Sequence, residues 1–230
     1  MALGRLHERL TAVRSRISDA ASHAARDAGA VRIVAVTKGH PLITAMEAAA
    51  ADLLDLGENR VQEALEKMDA WPQPAVRWHL VGHLQRNKVR LAVGRFALIH
   101  SLDSVRLAEA LEAEASTRQL EQDVLVEVNV AGEVQKSGCP LAELPALMEY
   151  SAGLAHVKVR GLMAMAPFTD DVDAQRRVFA RLYALREELV GQGFRLPDLS
   201  MGMTNDFEAA VEEGATMVRL GTALFGERPT

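Results

Sequence analysis

The sequence predicts an α/β protein, a single (β/α)8 TIM barrel preceded by an N-terminal helix. Three observations predict it. Eight short apolar segments alternate with helical patterns within 230 residues, the arithmetic of a closed parallel barrel. Only "GTALFGERPT" follows the eighth segment, too short for a full outer helix, and a helix ahead of the first strand can cover that gap. No low-complexity linker divides the chain, so 1–230 reads as one domain, with Pro72, Pro74 and Pro167 punctuating loops. A doubly wound sheet shares the alternation and is the alternative architecture.

Taken in order, residues 3–28 place Leu3, Leu6, Leu10, Val13 and Ile17 on one face, which makes an amphipathic helix. The first strand is "RIVAVT" (32–37), and the helical pattern "ITAMEAAAA" follows it. The second is "DLLDL" (52–56), followed by "NRVQEALEKM", and the third is "RWHLV" (77–81). "ALIHS" (97–101) is the fourth and leads into "SVRLAEALEAEA"; "VLVEVN" (124–129) is the fifth. "VKVRGLM" (157–163) precedes the long pattern "DAQRRVFARLYALREELV". "PDLSM" (197–201), "NDFEAAVEE" and "TMVRL" (216–220) complete the series.

Composition removes several function classes. A formal net charge of −5 and 4% aromatic residues give neither a basic footprint nor stacking platforms for nucleic acid. The single cysteine, Cys139, excludes an intrachain disulfide and belongs to no zinc motif. No run approaches a membrane span, and the opening residues contain acids and lack the apolar block of a secretory signal. A cytoplasmic protein is expected.

In such barrels chemistry collects at the strand C-termini. Those positions hold Lys38, "GEN" (57–59), "VGHLQRNK" (81–88), "SLD" (101–103), "EVN" (127–129) with nearby Lys136, "GLMAM" (161–165), "SMGMTND" (200–206) and "RLGT" (219–222). Glu58, Asp103 and Glu127 are carboxylates, but no spacing pairs two of them for glycosidase chemistry. His79 and His83 are four apart, yet His79 falls in a strand, where that spacing does not build a metal site. His79, His100 and His156 read as hydrogen-bonded structural histidines.

Lys38 stands out because lysine is rarely buried without a partner. Its stem could pack while the ammonium pairs with Glu58 or Asp206. Alternatively, a partly desolvated cavity would lower its pKa and free an imine-forming amine. The loops after the seventh and eighth strands favour the second reading. Ser200, Gly202, Gly221 and Thr222 supply hydroxyls and close backbone approach, with Thr204 or Asn205 as a helix cap, and such loops cradle phosphate. The substrate class is a phosphorylated aldehyde held as a Schiff base, either a sugar phosphate or pyridoxal 5′-phosphate (PLP).

The blocks "VAVTKGHP", "GENRVQE", "WHLVGHLQRNKV", "SLDS", "VNVAGEVQKSG", "GLMAM", "LSMGMTNDFEAA" and "VRLGTALFG" resemble the YggS/PROSC family of PLP homeostasis proteins. They stand in family order across residues 32 to 226. The resemblance implies a single barrel related to the N-terminal domain of alanine racemase, with covalently bound PLP and no established catalysis. It places the PLP lysine on Lys38 and Asn59 beside the cofactor face. It places the phosphate on Ser200, Gly202, Gly221 and Thr222, with Met201 among them, and the arginine facing the pyridine nitrogen on Arg219. Met163 and His79 are implied pocket residues. The sequence departs from the family at His40, where a second lysine is usual; neutral histidine offers no permanent positive charge there.

Two functions follow from that resemblance. A carrier would buffer PLP, meet amino acids, and deliver the cofactor to apo-PLP enzymes. A small racemase would need a proton-transfer group on each face of the reacting carbon. Lys38 serves one face, but Tyr150 and Tyr183, the only tyrosines, lie in helical patterns away from the strand ends. A cation at the pyridine nitrogen also weakens the ring as an electron sink. The carrier is therefore expected, with the racemase-like enzyme as the alternative. Without the second domain through which racemases dimerise, a monomer is expected.

Overall fold

In the computed structural model, residues 2–132 and 137–227 are described; Lys136 lies outside them. The first helix, α1 (Ala2–His23), buries Leu6, Leu10, Val13, Ile17, Ala20 and Ala21. This face packs on α8 (Phe207–Glu212) and α9 (Thr222–Phe225), with the Arg16 guanidinium 4.5 Å above the Phe207 ring. The last two helices have only six and four residues, so α1 covers core that full-length outer helices would otherwise shield.

Eight parallel strands form the closed ring: β1 (Arg32–Val36), β2 (Asp55–Glu58), β3 (Arg77–Leu80), β4 (Leu98–Leu102), β5 (Gln122–Asn129), β7 (Val157–Met163), β8 (Asp198–Ser200) and β9 (Met217–Leu220). Pairing of β9 with β1, Val34 opposite Arg219, and of β4 with β5 closes it. The doubly wound alternative is thereby excluded. A two-residue strand, β6 (Cys139–Pro140), adds to β5 outside the ring and has no counterpart in the sequence reading.

Between the strands lie α2 (Leu42–Ala50), α3 (Val61–Ala70), the short α4 (Val89–Ala92), α5 (Val105–Arg118), α6 (Leu144–Ala152) and α7 (Val172–Gly191). The expected second strand, 52–56, is displaced to Asp55–Glu58. Asp52 adopts φ +63° and the Leu53 N–H returns to the Ala48 carbonyl, so this stretch closes α2 rather than opening a strand. Among the described residues no helix is long and apolar enough to cross a membrane.

Strand alternation sorts side chains into two cores. The large one lies between sheet and helices. The small one, Val34, Leu98, Leu125, Met163 and Met217, fills the barrel lumen. The lumen also contains buried polar groups on the same alternation, including Asp55, His79, His100, Ser200 and Arg219.

Candidate functional site

A cavity of about 540 Å³ opens at the C-terminal ends of the strands. Lys38 enters it two residues beyond the β1 end, half-buried, with Val36 also in the lining. Asn59, Arg219, Gly221 and Thr222 also line it, so five of the ten residues expected from sequence converge there. The segment 165–170 and Val172 of α7 form one wall, on which Phe168 is 96% exposed.

The backbone carrying Lys38 is clamped from both sides by α3. Lys67, itself buried, places its ammonium 2.9 Å from the Thr37 carbonyl, 2.6 Å from Glu58 Oε1 and 3.2 Å from Glu63 Oε1. The Thr37 hydroxyl donates to Glu58 at 2.6 Å, and the Gly39 N–H donates to Glu63 at 2.6 Å. Thus the residues before and after Lys38 are both tied to one ion-pair network. Gly39 has φ +71°, the left-handed conformation that turns the chain from Lys38 back toward α2. Burial raises the Glu58 pKa although Lys67 and Thr37 oppose the shift. Glu58, one of the two partners considered for Lys38, is engaged by Lys67. The other, Asp206, accepts the Met203 N–H at 2.5 Å.

Two further loops meet at the cavity. The Ala223 N–H donates to Thr204 Oγ1 at 3.2 Å, joining the turn after β8 to the start of α9. Thr204, Gly221 and Thr222 thereby come together in the cavity lining. A Cβ on Gly221 would lie 3.2 Å from the Val36 carbonyl oxygen, so glycine permits the close approach of this loop to β1. Arg219 lies on the cavity floor and is 5% exposed. Its Nη1 donates to the Ser200 carbonyl and hydroxyl and its Nη2 to the Ala164 carbonyl. Burial pulls its pKa down to about 10, against Asp206 and Glu127, so it stays charged at neutral pH.

The other expected residues do not line the cavity. Ser200 is fully buried in the lumen because it shares the inward parity of Asp198; its hydroxyl meets His100 and Arg219. Met201 takes the opposite parity and joins the outer core. Gly202, φ +91°, backs onto α8, where a Cβ would come within 2.6 Å of Ala210 Cβ. Met163 belongs to the lumen core, and His79 hydrogen-bonds His100 and Asp55 there. His83 instead sits at the surface, 3.4 Å from Asp103, so the two histidines share no site.

The helix-cap position expected at Thr204 or Asn205 is held by Asp206, and both Thr204 and Asn205 line the cavity. His40 also lines the cavity, its ring centroid 5.6 Å from that of Phe225. Tyr150 and Tyr183 lie on α6 and α7 and are absent from the cavity lining.

The fold and its strand-end cavity lead to the family of the alanine racemase N-terminal domain. That family, described as "Alanine racemase, N-terminal domain", matches residues 9–229. The chain is 44% identical to the pyridoxal phosphate homeostasis protein of Aquifex aeolicus over 96% of its length and 97% of that protein's. It is 43% identical to the Pseudomonas aeruginosa protein of the same name, over 96% and 95%. The chain belongs to the family of pyridoxal phosphate homeostasis proteins, the YggS/PROSC family. Among solved structures, PipY of Synechococcus elongatus with PLP bound superposes with TM-score 0.86 at 38% identity, covering 96% of this chain and all of that one. Alanine racemase of Clostridium difficile superposes with TM-score 0.76 at 14% identity, a likeness of fold that covers 57% of the racemase chain.

Proposed function

We propose that this protein binds PLP covalently through Lys38 and serves intracellular PLP homeostasis as a one-domain cytoplasmic monomer spanning 1–230. The observation that carries the reading is the meeting of Lys38, Arg219 and the 204/222 hydroxyl loops in one cavity. Their chemistry fits PLP at each end. An amine faces space for an aldehyde, hydroxyl and backbone groups face space for a phosphate, and a permanent cation suits an unprotonated ring nitrogen. The volume lies in the usual range for small-molecule sites, roughly 300–1,000 Å³. PLP, when bound, supplies the aldehyde that Lys38 takes up as a Schiff base with loss of water.

The residues of the chain divide this work. Lys38 supplies the amine, and Lys67 with Glu58 and Glu63 holds the backbone that presents it. Thr204, Gly221 and Thr222 receive the phosphate. Arg219 meets the ring nitrogen and disfavours its protonation, and Asn59 borders the ring. Ser200, His79 and Met163 act from the lumen behind Arg219, and Gly202 and Met201 let α8 close against β8.

The phosphate assignment makes a prediction. Thr222→Val and Thr204→Val should each weaken PLP binding by roughly 10- to 100-fold, the size of a lost charge-assisted hydrogen bond. Pyridoxal, which lacks the phosphate, should bind weakly to wild type and be little affected by either change. Equal losses for both ligands in a binding titration would refute the assignment.

The carrier reading is supported by relatives that bear a homeostasis name, and by a cavity whose described lining contains no tyrosine. It is tested with a panel of L- and D-amino acids in deuterated water. The expected result is stoichiometric reaction without turnover, together with transfer of PLP to an added apo-PLP enzyme. Fast, Lys38-dependent α-proton exchange with chiral inversion would replace it with the racemase-like alternative. Sedimentation of the same preparation should show a monomer, and a stable dimer would overturn that part.

A further inference from the structure

Side chains from five strands form one continuous hydrogen-bonded path through the barrel lumen. Arg219 Nη1 lies 2.7 Å from Ser200 Oγ, and Ser200 Oγ lies 2.9 Å from His100 Nδ1. His100 Nε2 lies 2.9 Å from His79 Nδ1, and His79 Nε2 lies 2.9 Å from Asp55 Oδ1. All five residues are buried, and of them Arg219 alone lines the strand-end cavity. At the far end Asp55 also accepts from Arg77 Nε at 2.7 Å.

With both imidazoles neutral, the ends set one direction for the bonds between them. A guanidinium only donates, and an ionised carboxylate only accepts, so neutral His79 holds its hydrogen on Nε2 and neutral His100 accepts at Nδ1. Ser200 Oγ then receives the Arg219 N–H and gives its own proton to His100 Nδ1. His100 then carries hydrogen on Nε2 and gives it to His79 Nδ1. His79 gives its Nε2 hydrogen to Asp55. Each hydrogen finds an acceptor, and no two donors face each other. The opposite polarity needs an extra proton on His79 and leaves the Ser200 hydroxyl proton directed at neither His100 nor Arg219.

The electrostatics at two members fit this ordering. Burial, the largest cause, holds the His100 pKa well below the usual histidine range, so that imidazole is neutral. At Asp55 burial acts to raise the pKa, but hydrogen bonds from His79 and Arg77 outweigh it and keep the carboxylate ionised.

We infer that Asp55, His79, His100 and Ser200 form a positioning relay for Arg219, in which the buried carboxylate orients both imidazoles and these hold the Ser200 oxygen toward the guanidinium. One edge of Arg219 is thereby anchored inside the barrel while its side chain borders the cavity. The purpose of the relay rests on the reading of that cavity as a PLP site, where Arg219 meets the ring nitrogen. His79 and His100 are positioning residues; neither touches the cofactor space.

Two measurements test it. Nitrogen-15 NMR of the imidazoles in ligand-free protein should find both histidines neutral and protonated on Nε2 at neutral pH. An Nδ1–H tautomer or an imidazolium at either position would overturn the relay. Second, His100→Phe should weaken PLP binding about tenfold and move the pH midpoint of the bound cofactor's visible band, with partial recovery in His100→Gln. Should His100→Phe not fold, Asp55→Asn removes the terminal charge, keeps an amide oxygen to accept from His79, and is expected to move the same midpoint. Unchanged affinity and midpoint in folded variants would discard the relay and leave the PLP reading intact. If wild type takes up no PLP, the cavity reading fails, and the imidazole tautomers still decide the relay.

Discussion

Lys38→Ala is expected to abolish covalent capture of PLP while leaving the barrel folded. Wild-type protein mixed with PLP and reduced with borohydride should yield one labelled peptide, the one containing residue 38, and the variant should yield none. The effect is all or none because one Nζ supplies the bond. The fold should tolerate the change, since the backbone at Lys38 is held by its neighbours. The Thr37 carbonyl and hydroxyl and the Gly39 N–H bind the α3 network without using the Lys38 side chain. A half-buried side chain outside the core costs within about 1 kcal/mol on truncation. A borohydride-labelled peptide from elsewhere in the chain, in wild type or equally in the variant, would remove Lys38 from the site.

Lys67→Met should have the largest effect on stability. It leaves Glu58, fully buried, without the ammonium 2.6 Å away, and breaking a buried ion pair by removing one partner costs about 3–5 kcal/mol. Urea unfolding of the ligand-free protein measures this. The deficit should shrink as pH falls. Burial raises the folded-state pKa of Glu58 above its unfolded value, so acidification lets the folded variant take up the proton first, which favours folding. That gain operates below the raised folded-state pKa and is complete at the ordinary glutamate pKa of about 4.3. The double variant Lys67→Met, Glu58→Gln should recover much of the loss, because the uncompensated charge is gone. Since the same ammonium binds the Thr37 carbonyl, PLP capture by folded Lys67→Met should also slow. A loss under about 1 kcal/mol would show that Glu58 is already neutral in wild type and that the clamp is not ionic.

The two lysines show how far a sequence carries. Lys38 is conspicuous because an apolar, β-branched run ends on it, and that is a local pattern. Lys67 is not, because Glu63 and Lys67 sit four apart on a helix, the spacing of an ordinary exposed pair. Only docking of α3 against β2 buries that ammonium and brings Thr37 and Glu58 to it. Ser200 makes the same point in the other direction. Gly202, Gly221 and Thr222 read as a phosphate cradle, and the Ser200 hydroxyl, two residues from Gly202, looks like part of it. Its side-chain direction, however, follows from where β8 stops, and one residue of strand turns the hydroxyl from the cavity to the lumen.

By itself the sequence determined the alternation of strands and helices, the covering helix at the start, and the placing of Lys38, Asn59, Arg219, Gly221 and Thr222 at strand ends. These depend on periodicity and on residue types that act over a few positions. Tertiary structure alone decided what lies beneath them. Asp55, His79, His100, Ser200 and Arg219 come from five strands, with up to 100 residues between bonded neighbours, and no local pattern links them. They meet because a closed barrel turns alternate residues of every strand into one lumen. There each of these buried polar groups finds its partner in another strand.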